Sequence, residues 1–90
     1  MSMDDVYERA RQLERGLEDF NDSLLKSFDE VMRAHSQVAP LWEDTMRREY
    51  DLRWRPLEES MQEYNQRIGP HYLQFLIERL RYLKAYLHGA

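Results

Sequence analysis

The chain has 90 residues, no cysteine and a net charge of −4. One small domain is expected, which neither disulfides nor thiolate zinc sites can stabilise. The acidic balance disfavours a nucleic-acid partner, because binding to phosphates needs a basic surface. Charged residues make up 33 % of the chain and Gly and Pro are few. Together with abundant Leu, Glu, Arg and Gln, this composition predicts an almost wholly helical protein.

The first predicted helix covers about residues 3–35. Ser2 is placed to cap it by accepting a hydrogen bond from the amide of Asp5. Apolar positions recur in steps of three and four, a spacing typical of a coiled-coil-like seam. The seam consists of Val6, Ala10, Leu13, Leu17, Phe20, Leu24, Phe28, Val31 and His35. The opposite face is polar and is interpreted as solvent-exposed.

A turn is predicted over residues 36–41, because Pro40 disfavours helix at the residue before it. A second helix is expected over about 42–68, antiparallel to the first. It should bend near Pro56, which removes one backbone donor and crowds the preceding turn. The apolar row of this helix is Trp42, Met46, Tyr50, Trp54, Leu57, Met61, Tyr64 and Ile68.

Gly69-Pro70 predicts either a kink or a short break before a C-terminal helix over 71–87. Residues 72–87 include 11 apolar or aromatic side chains among 16 positions, too many for one helical stripe. If positions 73, 76, 80, 83 and 87 face the first helix, a second apolar face remains, which is the predicted interface. Its members are Tyr72, Phe75, Ile77, Tyr82 and Tyr86.

A helix that is apolar on two faces must be covered on both. A single domain over residues 1–90 is therefore predicted, an all-α antiparallel hairpin with a bent second arm that dimerises into a four-helix bundle. The simplest partner is a second copy of the chain, giving a homodimer. Tyrosines that keep their hydroxyls in water are the alternative explanation of the second face.

The sequence predicts neither catalysis nor a cofactor. His35, His71 and His88 share no metal-ligand spacing, and no phosphate-binding loop or nucleophile–base pair is present. The arginines around Tyr50 and Trp54 are outnumbered by carboxylates, so core packing is preferred there to base stacking. No segment has the pattern of a signal peptide or a membrane span, which predicts a cytoplasmic protein that does not span a membrane.

The elbow between the two arms resembles a known family. Trp42, Asp44, Tyr50 and Trp54 match the Trp-x-Gly element, the following aromatic residue and the later Trp of the WXG-motif helical-hairpin proteins, which are associated with bacterial type VII secretion. The chain departs from that pattern in two ways. Asp44 replaces the motif glycine, which suggests a capped turn. The C-terminal export signal, a Tyr followed four residues later by Asp or Glu, is missing.

The resemblance implies a non-enzymatic protein-interaction module. Such a hairpin pairs with itself or with a related hairpin and acts as a secreted effector, a chaperone-like protein or an adaptor for a larger protein client. Because the export signal is missing, export without a signal peptide is possible but unsupported, and an intracellular adaptor is an equally good expectation. The alternative function is a structural, self-assembling coiled-coil subunit without a dedicated client. A helical enzyme with a metal in the bundle core is a third, less favoured hypothesis.

Overall fold

The computed structural model describes residues 2–89, and all of its regular structure is helical. Two long helical arms form a hairpin-like arrangement. The first arm is α1 (Met3–Val38), and a 3₁₀ turn (Ala39–Leu41) leads to the second arm. That arm consists of α2 (Asp44–Glu63), a π-helical turn (Tyr64–Ile68) and α3 (Gly69–Leu87).

Helix α1 begins at a complete capping box. The hydroxyl of Ser2 accepts a hydrogen bond from the amide of Asp5, and the Asp5 carboxylate accepts one from the amide of Ser2. This arrangement satisfies backbone donors that have no partner within the helix. The predicted cap is therefore present. The helix continues to Val38, three residues beyond the predicted end, and α2 begins at Asp44, two residues after the predicted start.

The second arm stays helical through both of its prolines. Pro56 lies inside α2, and Gly69 has right-handed helical dihedral angles, φ −62° and ψ −52°. The π-helical turn ends at Ile68, two residues before Pro70, and the amide of Gly69 donates to the carbonyl of Tyr64. A π turn inserts one extra residue into the helix, which makes room where a proline ring would crowd the preceding turn. The sequence left open a kink or a short break of the helix at Gly69-Pro70, and the break is absent.

The hairpin is a thin rod. Its extents are 66 × 21 × 16 Å and its radius of gyration is 19.8 Å, whereas a compact chain of this length has a radius of about 12 Å. Only Ala39, Gly69 and Leu80 are buried among residues 2–89. Two helices in contact along one line cannot enclose a core, so most apolar side chains are covered on one side only.

Only half of the predicted α1 seam faces the second arm. Ala10, Leu17, Leu24, Phe28 and His35 are at least half-buried in this contact. The other seam residues are exposed, and these are Val6, Leu13, Phe20 and Val31. The second arm does not pack on the centre of the seam. It packs to one side of it, against α1 residues that include Tyr7, Arg11 and Asn21. The apolar stripe is wider than one returning arm can cover.

Gly69→Ala is expected to lower the free energy of unfolding by about 1 kcal/mol, because overpacking outweighs the gain in helix propensity. A Cβ atom at Gly69 would lie 3.0 Å from Asn21 Oδ1 and 3.0 Å from Tyr64 Cε1. Urea denaturation followed by circular dichroism measures the change. The control is the same substitution in an Asn21→Ala background, where the loss should be smaller. Equal losses in both backgrounds would contradict the crowding argument.

Candidate interaction surface

Aromatic side chains hold the two arms together at the elbow. The ring of His35 on α1 stacks on Trp54 of α2, with centroids 4.0 Å apart and planes 5° from parallel. His35 Nδ1 is hydrogen-bonded to the Tyr50 hydroxyl at 2.7 Å. Trp42 extends the stack, with its ring centroid 5.8 Å from that of Tyr50. We call these four residues the aromatic elbow. Three of the four predicted motif residues thus lie together, joined by a histidine from the other arm.

Asp44, the fourth motif residue, adopts a backbone conformation that favours glycine. Its φ is +51°, a value that is left-handed and sterically costly for most side chains. The side chain does not act as the helix cap, because Glu43 occupies the cap position and makes no side-chain cap hydrogen bond. The turn is held from the other side by Arg47, whose Nη1 donates to the carbonyl of Ala39 at 2.6 Å. The turn that the sequence predicted here is present, but the Asp44 side chain does not cap it.

Several large apolar side chains are exposed along one side of the rod. We call this set the apolar flank, and it consists of Val6, Leu13 and Phe20 from the first arm and Ile68, Tyr72, Phe75 and Tyr86 from the second. The part from the first arm reaches the second arm at Phe20, whose ring contacts the ring of Tyr64 edge to face, with centroids 6.0 Å apart. Tyr82, which is 73 % exposed, lies at its outer edge.

Helical geometry places both parts of the apolar flank on the same side. Leu80 is buried against α1, while Ile77 lines a surface groove with Tyr7 and Arg11. Successive residues of a helix are rotated by about 100° about its axis. The residue before an inward-facing residue and the residue after it therefore point to opposite sides of the helix. Phe75 therefore lies on the side of the rod opposite Ile77. Because the two helices are antiparallel, Leu13 lies on the same side as Phe75.

Ile77 is consequently separated from the other residues of the predicted interface. Tyr72, Phe75, Tyr82 and Tyr86 are exposed, whereas Ile77 is half-buried on the opposite, polar side. There Arg11 Nη1 donates to the Tyr7 hydroxyl at 3.3 Å, and this hydrogen bond raises the pKa of the Arg11 guanidinium. A charged and hydrogen-bonded flank of this kind is suited to contact with water.

An apolar groove of about 250 Å³ lies between the arms, midway between the aromatic elbow and the apolar flank. Its walls are Leu24, Phe28, Val31, Met61 and Tyr64, and Ser27, Ser60 and Asn65 complete the lining. The Asn65 amide nitrogen is enclosed without an acceptor among the described residues. A buried amide donor without a partner costs free energy. The surface that the groove exposes is therefore mainly apolar, and the enclosed Asn65 nitrogen is not accessible from it.

The described part of the chain contains no group of three or more His, Asp or Glu side chains placed to hold a metal ion. None of the helices between residues 2 and 89 is long and apolar enough to cross a membrane. The apolar side of the rod also carries a charge, since the guanidinium of Arg79 lies over the ring of Phe75, 5.1 Å from its centroid.

Sequence reasoning expected the exposed aromatic residues of α3, but it placed Val6, Leu13 and Phe20 in the covered seam of α1, and these three are exposed. Val6, Leu13 and Phe20 have the same period as the covered seam residues, so their spacing alone cannot show which half is covered. The groove was also missed, because it depends on small residues in two arms that are distant in sequence.

No family model matches this chain, and no curated protein or solved structure matches it either.

Trp54→Ala is expected to lower the free energy of unfolding by about 2–4 kcal/mol, because it removes the ring that stacks on His35. The matched control is Trp42→Ala, which should cost less than about 1 kcal/mol, since Trp42 lies at the exposed end of the stack. Urea denaturation of both variants at one protein concentration measures the difference. Equal losses would show that the aromatic elbow does not depend on the His35–Trp54 contact.

Asp44→Gly is expected to raise the free energy of unfolding by about 0.5 kcal/mol, because glycine adopts the positive φ without steric cost. Asp44→Val removes the same carboxylate and should instead lower it by more than about 1 kcal/mol. Thermal unfolding of the two variants separates backbone conformation from charge. A similar loss in both would mean that the carboxylate, and not the backbone, determines stability at this turn.

Proposed function

We propose that this chain is a non-enzymatic protein-interaction module, a WXG-like helical hairpin that pairs with a second helical hairpin to form a four-helix bundle. The observation that carries the proposal is the apolar flank. Its side chains are 40–74 % exposed along one side of the rod, and a group of large exposed apolar side chains on one side of a protein marks an interaction site. Pairing along this side would give both arms a second apolar contact.

The backbone at the elbow supports the WXG-like part of the proposal. The family has a glycine at the position of Asp44, and here that position has a φ of +51°, which glycine adopts most easily. The aromatic residues at positions 42, 50 and 54 pack together with His35 and close the hairpin. A rigid elbow of this kind would hold both arms in the alignment that a partner hairpin needs.

In this proposal the protein works through its surfaces, as an adaptor, a chaperone-like subunit or a secreted effector. All three roles depend on the same pairing. The alternative is a self-assembling structural subunit, and one observation favours it. Leu41 and Leu52 are 77 % and 71 % exposed near the elbow, away from the apolar flank. A hairpin that used both surfaces to bind copies of itself would form a polymer rather than a closed pair.

Light scattering on a size-exclusion column, over a hundredfold range of concentration, tests the pairing. A closed pair of copies gives twice the chain mass of 11.1 kDa, and a polymer gives a mass that grows with concentration. If another helical hairpin is the required partner, the isolated chain stays monomeric and shows reduced helicity. A fully helical monomer that is stable at all concentrations would overturn the proposal.

Phe75→Glu is expected to abolish the pair, because it places a charge within the apolar flank, where pairing would desolvate it. The matched control is Leu52→Glu, which changes an even more exposed apolar residue on a different side of the rod. Scattering mass should fall to that of one chain in the first variant and stay unchanged in the second. The opposite pattern would move the interface to the elbow.

A further inference from the structure

We infer that the apolar flank is a docking surface for a helix of a different protein, and that this helix carries an Asp or Glu carboxylate opposite Arg9 and Arg79. The inference rests on the pairing proposed above and specifies the chemistry of the partner. The apolar side chains of the flank supply contact area, and the two arginines select a partner with a matching negative charge.

The outer row of α3 is aromatic apart from one arginine in its middle. The row consists of Tyr72, Phe75, Arg79, Tyr82 and Tyr86, whose spacing of three and four residues places them on one face of the helix. All five side chains are exposed. The guanidinium of Arg79 lies over the ring of Phe75, 5.1 Å from its centroid. The one charge of this row is therefore held against its aromatic surface.

The exposed row of α1 has a similar composition. It consists of Val6, Arg9, Leu13, Gly16 and Phe20, with the same spacing of three and four residues. Its three large apolar members are 40–52 % exposed, and Arg9 is exposed as well. Each of the two rows that border the apolar flank thus has a single charged member, and in both rows that member is an arginine.

The two arginines lie at nearly the same height along the rod. Residues that face each other across the hairpin have numbers that add up to about 90, as the pairs His35–Trp54 and Phe28–Met61 show. Arg79 is therefore level with about residue 11 of α1, which is about 3 Å from Arg9 along the rod axis. One acidic side chain of a partner helix can approach both guanidinium groups from this side.

Neither arginine has an ion pair or a side-chain hydrogen bond within residues 2–89. None of the positions three or four residues from Arg79 is acidic, and the neighbouring Glu78 accepts a hydrogen bond from Gln74. Asp5 lies one turn before Arg9, but its carboxylate belongs to the capping box of α1. A wholly apolar partner would remove both guanidinium groups from water without a counter-charge, which costs free energy.

A second copy of the chain does not supply the missing carboxylate. Neither row contains an Asp or a Glu, and α3 has three basic side chains and one acidic side chain. Two copies that paired through this flank would place the arginines of each against the same uncompensated rows of the other. Such a pair is therefore the weaker complex, and a helix with a suitably placed carboxylate would displace it.

The positive charge of the flank is not a general property of the surface, because the whole chain has a net charge of −4. Arginine binds a carboxylate through two parallel N–H···O hydrogen bonds, which fix the orientation of the pair. A partner helix with large apolar residues on both sides of one Asp or Glu would cover the aromatic side chains and satisfy the guanidinium groups together.

Two synthetic peptides of about 20 residues test this inference, since the row from Tyr72 to Tyr86 is about 21 Å long. Both peptides are locked as helices by side-chain lactam bridges and carry Leu in steps of three and four along one face. They differ only in the middle of that face, where one has Glu and the other Gln. Titration of the full chain into a trace of labelled peptide, followed by fluorescence anisotropy, measures both dissociation constants. Self-pairing of the chain competes equally with both peptides, so the ratio of the two constants is unaffected.

The Glu peptide is expected to bind about tenfold more tightly than the Gln peptide, the effect of a hydrogen bond between charged groups. Arg79→Gln should lower this ratio, and the combined change of Arg79→Gln with Arg9→Gln should bring it close to one. The matched control is Arg81→Gln, which removes the same charge from the same helix on the polar side of the rod. It should keep the full ratio, and circular dichroism checks that all variants retain their helicity.

The outcomes separate this inference from the proposed function. Equal binding of the two peptides, or an equal loss of the ratio in Arg79→Gln and Arg81→Gln, overturns the carboxylate and leaves the apolar pairing intact. Failure of both peptides to bind overturns the inference in every case. If the chain is then dimeric, a second copy covers the flank, and if it is a fully helical monomer at all concentrations, the proposed function fails as well.

A second measurement tests whether the arginines oppose self-pairing. Arg79→Met keeps an unbranched side chain without the charge and should lower the dissociation constant of a pair of copies about tenfold. Arg81→Met is the matched control and should leave this constant unchanged. Light scattering over a range of concentration measures both. Unchanged or weaker self-pairing of the Arg79→Met chain would contradict the conclusion that a second copy is the poorer partner.

Discussion

The structure depends on the single line of contact between its two arms. Two antiparallel helices can cover only one stripe on each other, and here that stripe contains Leu17, Leu24, Phe28 and Leu80. At its elbow end the contact is closed by the stack of His35 on Trp54. Among the large apolar side chains of residues 2–89, only Leu80 is buried, and the others remain partly in water. The thinness of the rod and its exposed flank both follow from this geometric limit.

The interruptions of regular helix have local causes with long-range effects. At the elbow, a left-handed residue and a hydrogen bond from Arg47 to the carbonyl of Ala39 reverse the chain within a few residues. In the second arm, a π-helical turn takes up the disturbance of Pro70 without ending the helix. Because it adds one residue to the turn, it also sets which side chains of α3 face α1. Leu73 and Leu80 face inward as a result, and Phe75 faces outward.

The apolar flank and the groove are best understood as parts of one surface. The flank exposes large apolar side chains, and the groove adds a concave surface with mainly apolar walls. Each feature is costly or unused in an isolated chain.

The sequence by itself determined the helical class, the hairpin, the Ser2 cap and the two-faced character of residues 72–87, because helical period and capping chemistry are local properties. Only the tertiary structure decided which half of the α1 stripe is covered, since Val6, Leu13 and Phe20 have the same spacing as their buried neighbours. It also decided that Ile77 lies on the polar side and that the helix continues through Gly69-Pro70. Those outcomes depend on the rotation of one arm against the other, which packing sets and a single helical pattern does not contain.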